Sequence, residues 1–339
     1  FHLMRLASQM DEFLEKPREF PEKKTVLDFY FALRNFLNIY DLVDDHYVIY
    51  SQMTEEGQFR IRLFCVDPSV NLQKCIDKSN STIFFSATLL PIGYYKRLLS
   101  TDEDNYAIYA QSTFAQTQRL LAFGRDVSTK YTRRNRKEYE KIADYIGAVT
   151  EAQQGNYMVF FPSYRLMQDV YEVFAGKAAD SCEILMQHTN MKEHEREAFL
   201  EEFEKERQGT LVAFCVMGGI FGEGIDLKND RLIGAVIVGT GIPQVSDERE
   251  ILKNYYDERG LSGFDYAFRY PGMNKVLQAA GRVIRTSEDR GVILLLDERF
   301  LQREYASLFP REWEERTICS LSQLREEISR FWSDVREEV

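Results

Sequence analysis

Residues Tyr157–Phe174, YMVFFPSYRLMQDVYEVF, decide the fold. Tyr157–Phe161 is an uninterrupted apolar run closed by Pro162, too short for a helix and bounded as a fully buried strand is. From Tyr164 to Phe174 the pattern turns helical, and Ser163 stands where its hydroxyl caps the first turn. Working outward, the same alternation recurs. Ahead lie a predicted buried strand, Ser81–Ser86, and a predicted helix, Glu138–Ala152. Behind come the strand Glu183–Met186, the helix Lys192–Glu206 with Asn190 placed to cap it, and the strands Leu211–Val216 and Leu232–Val238. The helix Asn274–Arg285 and the strand Gly291–Leu296 close the series. Strands alternating with helices at this pitch predict βαβ units: an α/β fold with a parallel sheet flanked by helices.

The first fifty residues read differently. From Thr25 to Asp41 the apolar residues Val26, Leu27, Phe29, Tyr30, Leu33, Phe36, Leu37 and Tyr40 recur at three-to-four spacing, one broad helical face, with Pro21 just ahead of it. Two β-rich runs follow, His46–Tyr50 and Phe59–Cys65, and the Gly57-containing link between them suggests a hairpin. The 339 residues allow two domains or one large one. A chain that is 44% hydrophobic and 29% charged is globular. No apolar run approaches the ~18 residues of a membrane span, and the start, FHLMRLASQMDEF, has neither the apolar core nor the cleavage site of a signal peptide. It also lacks an initiator Met, so the expectation is a piece of a longer protein. A net charge of −11 excludes a wholly basic nucleic-acid coat but not a local basic patch. The five cysteines, Cys65, Cys75, Cys182, Cys215 and Cys319, are scattered without a C-x-x-C pair, which points to reduced thiols and away from zinc or iron–sulfur spacing.

Ligands of parallel sheets bind at the carboxyl ends of the strands, so the loops there are the candidates. Ser86-Ala87-Thr88-Leu89 offers small hydroxyls that bond phosphates or relay position, or is an ordinary turn. Phe160-Phe161-Pro162-Ser163-Tyr164 opens a helix whose N-terminus suits a phosphate, with Tyr164 free to stack on a base; a capped helix carrying a core aromatic reads the same way. Met217–Asp226 holds four glycines, which allow close backbone approach, with Glu223 and Asp226 beside them. Gln278-Ala279-Ala280-Gly281-Arg282-Val283-Ile284-Arg285 is the sharpest. On a continuous helix Gln278, Gly281, Arg282 and Arg285 share one face, and two guanidiniums with one amide suit a polyphosphate, or a salt-bridged surface helix. Lys130–Lys137 is a basic run with an aromatic inside an acidic protein, able to track a phosphate backbone or to serve as a solvated helix entry.

The ordered set SATL, FFPSY, GEGID and QAAGRVIR resembles the second half of a superfamily 2 helicase, and more narrowly the DinG/XPD branch of DNA helicases. Gly239-Thr240-Gly241-Ile242-Pro243 and Asp297-Glu298-Arg299-Phe300 extend the resemblance, which covers roughly residues 80–305. It implies a RecA-like motor domain 2 over 101–339. By position it also implies a returning piece of motor domain 1 over 57–100, carrying SATL, and the end of an Arch-like helical insertion over 1–56. It implies an ATP-dependent DNA helicase, travelling 5′ to 3′, with ATP, Mg2+ and single-stranded DNA as ligands and motor domain 1 of the same protein as partner, in a bacterial cytoplasm. Arg285 would be the arginine finger, Arg282 a second phosphate contact, and Gln278 the residue orienting the γ-phosphate or the attacking water. Gly222, Glu223, Gly224, Asp226 and Gly281 would meet the nucleotide. Ser163 and Tyr164 would meet DNA, joined by Arg133 and Arg134 of the basic run. Ser86, Ala87 and Thr88 would couple hydrolysis to movement.

Other features of the family are missing from the sequence. No G-x-x-x-x-G-K-[ST] and no D-E-A-H occurs, so the chain is not expected to hydrolyse ATP alone. The family's cluster cysteines are absent, leaving an iron–sulfur cluster to an upstream part. Asp297-Glu298, an acidic pair ending an apolar strand, imitates a magnesium site but falls where the family places an Asp-x-Arg-Phe element. Two other readings remain open: a non-catalytic binding module on a RecA-like fold, and the helicase-like part of an exonuclease-linked DinG protein.

Overall fold

The computed structural model describes residues 1–15, 20–54, 56–179, 182–221, 227 and 231–337. Two helices lead, α1 (His2–Leu14) and α2 (Lys23–Tyr40), followed by the antiparallel hairpin of β1 (Tyr47–Met53) and β2 (Phe59–Cys65). Gly57 takes φ +76° in the connecting turn. Two short helices, α3 (Ser69–Ile76) and α4 (Ile92–Leu99), precede the main sheet. That sheet is built from β3 (Arg119–Gly124), β4 (Asn156–Phe161), β5 (Cys182–Met186), β6 (Thr210–Val216), β7 (Gly234–Val238), β8 (Gly291–Leu296) and β9 (Thr317–Cys319). Its helices are α5 (Arg136–Thr150), α6 (Tyr164–Ala175), α7 (Glu193–Glu201), α8 (Asp247–Glu258), α9 (Tyr270–Ala280), α10 (Arg303–Ala306) and α11 (Leu321–Glu337).

The seven strands lie in the order β5-β6-β4-β7-β8-β3-β9, and every adjacent pair is parallel. Strands buried on both faces need apolar residues at every position, which is why the runs carry no polar alternation. Successive side chains still part to opposite faces. Met158, Phe160, Leu211, Ala213, Ala235, Ile237, Ile293 and Leu295 join one core with Phe199, Val276 and Leu277. Tyr157, Val159, Phe161, Val212, Phe214, Val236, Leu294 and Leu296 join the other with Ile142, Ile146, Val170 and Leu324. The predicted α/β architecture, a RecA-like parallel sheet with a preceding helical segment and hairpin, is the one observed.

The hairpin, α3 and α4 dock on α8 and α9 through an aromatic cluster. Tyr94 packs against Tyr266 and Tyr270 with ring centroids 5.1 and 5.0 Å away. Tyr256 donates its hydroxyl to the Val66 carbonyl at 3.3 Å, and Asn274 Nδ2 donates to Tyr95 Oη.

Four expectations are corrected. Ser81–Ser86 is not a strand; it is irregular, and Ile83 and Phe85 are 82% and 90% exposed. Local β propensity becomes a strand only against a neighbour, and no described strand pairs with this segment. Asn190 does not cap the next helix: it adopts φ +61°, and Lys192 takes the N-cap position, its backbone N–H donating to Glu195 Oε2 at 2.7 Å. That helix turns 3-10 after Glu201 instead of running to Glu206. The helix predicted over Asn274–Arg285 begins earlier and ends at Ala280, so Arg282 and Arg285 stand in the turn beyond it. Arg282 and Val283 N–H already reach only three residues back, to the Ala279 and Ala280 carbonyls, and Asp289 holds the turn that follows. Its Oδ2 accepts the backbone N–H groups of Arg285 and Thr286 at 2.6 and 2.7 Å, in place of the carbonyls four residues back. The sequence reading also did not identify β3, β9, α8 and α11.

A close approach fixes α9 against the sheet. Gly241, at φ +65°, meets Gly272 of α9, and a Cβ on Gly272 would fall 2.7 Å from the Thr240 carbonyl and 3.0 Å from the Ile242 nitrogen. Both obstacles are backbone. Gly272→Ala is therefore expected to cost roughly 1–3 kcal/mol in chemical denaturation, with unchanged stability showing that the loop yields freely.

Candidate functional site

Parallel strands put the ends of β3, β4, β6, β7 and β8 on one edge of the sheet, and the loops there interlock. Ser163 caps α6, its Oγ accepting from the Leu166 N–H at 3.4 Å. Tyr164 follows, 36% exposed, its Oη accepting a hydrogen bond from Gln187 Nε2 at 2.9 Å. Gln187 ends β5, is 2% exposed, and its Oε1 accepts from the Val216 N–H at 2.9 Å. A polar residue closing an apolar strand was the available sign of Gln187, and the sequence reading passed over it. Burial raises the Tyr164 phenol above its ordinary range despite the Gln187 donor.

The neighbouring loops carry the basic run. A Cβ on Gly239 would lie 2.8 Å from Thr129 Oγ1 and 3.4 Å from Pro162 Cγ, so the ends of β3, β4 and β7 touch. Asp297, 1% exposed, is the buried anchor of this edge. Arg299 grips it with two side-chain bonds, Nε to Oδ1 and Nη2 to Oδ2, both 2.8 Å. Thr129 adds its N–H at 3.0 Å and its hydroxyl. Burial drives the Asp297 carboxyl upward, but Arg299 and Thr129 outweigh it and hold the group below its ordinary value. Glu298 bonds Lys130 at 2.9 Å and accepts from Ser128 Oγ at 3.0 Å. Both acids of the pair that imitates a magnesium site are thus occupied by protein donors.

The candidate DNA-binding arginines emerge from this anchor. Arg133 lies 4.0 Å from Glu138 and 3.9 Å from Glu298. Arg134 donates to the Thr129 carbonyl at 3.2 Å and sits 5.8 Å from the Tyr131 ring. Arg136 pairs with Glu140 at 3.1 Å. The run is tethered by acids at its root while Arg133 keeps 51% of its side chain exposed.

The arginine turn lies on the opposite edge. Gln118 Nε2, one residue before β3 begins, donates to the carbonyls of Ser287 and Asp289 at 2.5 and 3.1 Å, and β8 starts at Gly291. The reason is topological: α9 returns the chain from the end of β7 to the start of β8, so it runs against the strands. The expectation that all these loops share one rim is therefore corrected for Arg282 and Arg285. Gln278 is half-buried on the last turn of α9. Midway along that helix, Lys275 lies against Gly218 of the loop after β6, its Cε 2.7 Å from where a Cβ would be. Burial, then the nearby Arg249, lowers the Lys275 ammonium pKa. Gly222, Glu223, Gly224 and Asp226 lie outside the described residues. Gly281, just past α9, has a negative φ and is exposed. Ser86 and Thr88 form a local turn, Thr88 N–H donating to Ser86 Oγ at 3.3 Å, with Ala87 exposed between them.

Among the described residues no group of three or more His, Cys, Asp or Glu side chains is gathered for a metal ion. Nor, among them, is any helix long and apolar enough to cross a membrane.

Residues 146–316 match the family described as a helicase C-terminal domain. A probable ATP-dependent helicase of Methanocaldococcus jannaschii is 25% identical over 295 residues, covering 83% of this chain and 43% of that protein. The ATP-dependent DNA helicase YoaA of Haemophilus influenzae is 30% identical over 171 residues, covering 50% of this chain and 25% of its own length. The ATP-dependent DNA helicase XPD of Sulfolobus acidocaldarius is 26% identical over 250 residues, with 70% and 43% covered. Among solved structures, one described as an XPD helicase superposes with a TM-score of 0.59 at 20% identity, covering 90% of this chain and 56% of that one. The chain spans less than half the length of each of these three curated relatives.

Proposed function

Because the chain belongs to the helicase C-terminal domain family, we propose that it is the half of an XPD/DinG-type, ATP-dependent DNA helicase that supplies the arginine finger and part of the single-strand track. Motor domain 1 of the full protein closes on it and brings the phosphate-cradling loop and the Mg2+ ligands. Residues 57–100 belong to that first domain, 1–56 end an Arch-like insertion, and 101–339 are motor domain 2. Alone, the chain does not turn over ATP.

The observation that carries this reading is the path of α9. Its first turns press on the loops after β6 and β7 through Lys275 and Gly272, and its last turn leads into Arg282 and Arg285 on the other edge. Eleven helical residues span about 16 Å as a rigid strut. Single-stranded DNA lies on the carboxyl edge, over Ser163, Tyr164, Arg133 and Arg134, while the triphosphate meets Gln278, Arg282 and Arg285. Arg285 offsets charge developing on the γ-phosphate, Arg282 holds a second phosphate oxygen, and Gln278 orients the phosphate or the water. Gly222, Glu223, Gly224 and Asp226 meet the nucleotide. Ser86, Ala87 and Thr88, on the segment ahead of α4, pass closure to α9 through the Tyr95–Asn274 bond. The exposed apolar segment Ser81–Ser86, irregular here, becomes a strand only against the sheet of motor domain 1, which accounts for the exposure of Ile83 and Phe85.

The track is tested by the double charge reversal Arg133→Glu with Arg134→Glu in the full-length protein. Losing two phosphate contacts should flatten the slope of log affinity against log salt by about 1.4, with several-fold weaker oligonucleotide binding. Unchanged affinity and slope would mean that Glu138 and Glu298 already neutralise the run and that it only leads into α5.

A further inference from the structure

Gln187 is a buried amide whose two ends are in use, and its orientation is fixed by chemistry. The Val216 backbone N–H can only donate, so the amide oxygen faces Val216 and the amide nitrogen faces Tyr164. Tyr164 Oη therefore spends a lone pair on Gln187 and keeps its proton. Among the described residues no acceptor takes that proton, and the ring is 36% exposed. Gly219 packs on the same amide, its Cβ position 3.2 Å from Gln187 Nε2, so the loop after β6 also lies against Gln187.

We infer that Gln187 is a positioning residue that fixes Tyr164 as an outward hydrogen-bond donor, aimed at an acceptor oxygen of single-stranded nucleic acid, and that ties this donor to the loop after β6. The inference rests on the proposed single-strand track and adds the polarity of one contact and the residue that sets it. A base stacked on the ring would need no hydroxyl; a phosphate or base oxygen would. The raised phenol pKa keeps the proton in place at neutral pH. Val216 is the last residue of β6, so a shift of that strand end moves Gln187 and then the hydroxyl, and alters the grip on the single strand.

Three variants of the full-length protein test this by fluorescence anisotropy with labelled oligo-dT. Tyr164→Phe deletes the hydroxyl, and with it both the outward proton and the acceptor of Gln187 Nε2; about tenfold weaker binding is expected. Gln187→Glu keeps the size but replaces the nitrogen donor with an acceptor, drawing the Tyr164 proton inward, and should lose the same factor. The double variant should be no weaker than either single one, because both remove one contact; a merely structural role for Gln187 would add its own loss. Wild-type affinity in Tyr164→Phe, or additive losses in the double variant, overturns the inference. Should Gln187→Glu fail to fold, the Tyr164→Phe result alone decides the donor. Failure of the unsubstituted protein to bind oligo-dT is a different outcome, and overturns the track itself together with this inference.

Discussion

Arg285→Ala in the full-length protein is expected to lower DNA-stimulated ATP turnover by about a thousandfold while nucleotide binding stays within a few-fold of normal. A guanidinium that meets the γ-phosphate acts on charge that grows only as the bond to the leaving phosphate breaks, so its removal falls on turnover and spares affinity. The turn that carries Arg285 has a backbone anchor: Asp289, 3% exposed, accepts the backbone N–H groups of Arg285 and Thr286. Truncation should therefore leave the turn in place. Steady-state hydrolysis alongside titration with a fluorescent ATP analogue separates the two effects. Near-normal turnover would remove Arg285 from the finger role and favour a module that binds without catalysing.

Asp297→Ala is expected to be the most destabilising single change at the carboxyl edge, costing about 3–5 kcal/mol because the partly buried Arg299 is left without its partner. Thr129 loses its N–H acceptor at the same time, so the ends of β3 and β8 part where the basic run begins. Thermal unfolding followed by circular dichroism measures the loss; a shift of under a degree or two would show that water takes over both donors at no cost. The pH dependence has a definite sign. The folded-state pKa of Asp297 lies below its ordinary value. Its contribution is therefore complete above the unfolded value of about 3.9 and is lost as pH falls through the lower folded value. Asp297→Asn should remove that acid-range slope.

The sheet was legible because its inner strands are continuous apolar runs. Tyr157–Phe161, Leu211–Val216 and Gly291–Leu296 all became strands within a residue of where they were read. The outer strands were harder. Thr317–Cys319 has three residues, and neither it nor Arg119–Gly124 stands out from a loop until β8 lies beside Arg119–Gly124 and that strand beside Thr317–Cys319. Of the site, Ser163 as helix cap was readable, since capping is a matter of one hydroxyl and a nearby N–H. Gln187 was not, because its role depends on β6 lying beside β5.

The amino-acid sequence by itself determined the α/β class, the positions of the inner strands and the loops that carry polar and glycine residues, since burial on both faces writes itself as unbroken apolar runs. Only the tertiary structure decided which edge each loop occupies. QAAGRVIR looks like continuous helix, yet the helix stops at Ala280, Asp289 captures two N–H groups of the turn beyond it, and the antiparallel course of α9 carries Arg282 and Arg285 to the edge opposite Tyr164. Local spacing records which residues share a face for as long as a helix lasts; where the helix stops, and which way it runs against the sheet, is set by contacts between distant parts of the chain.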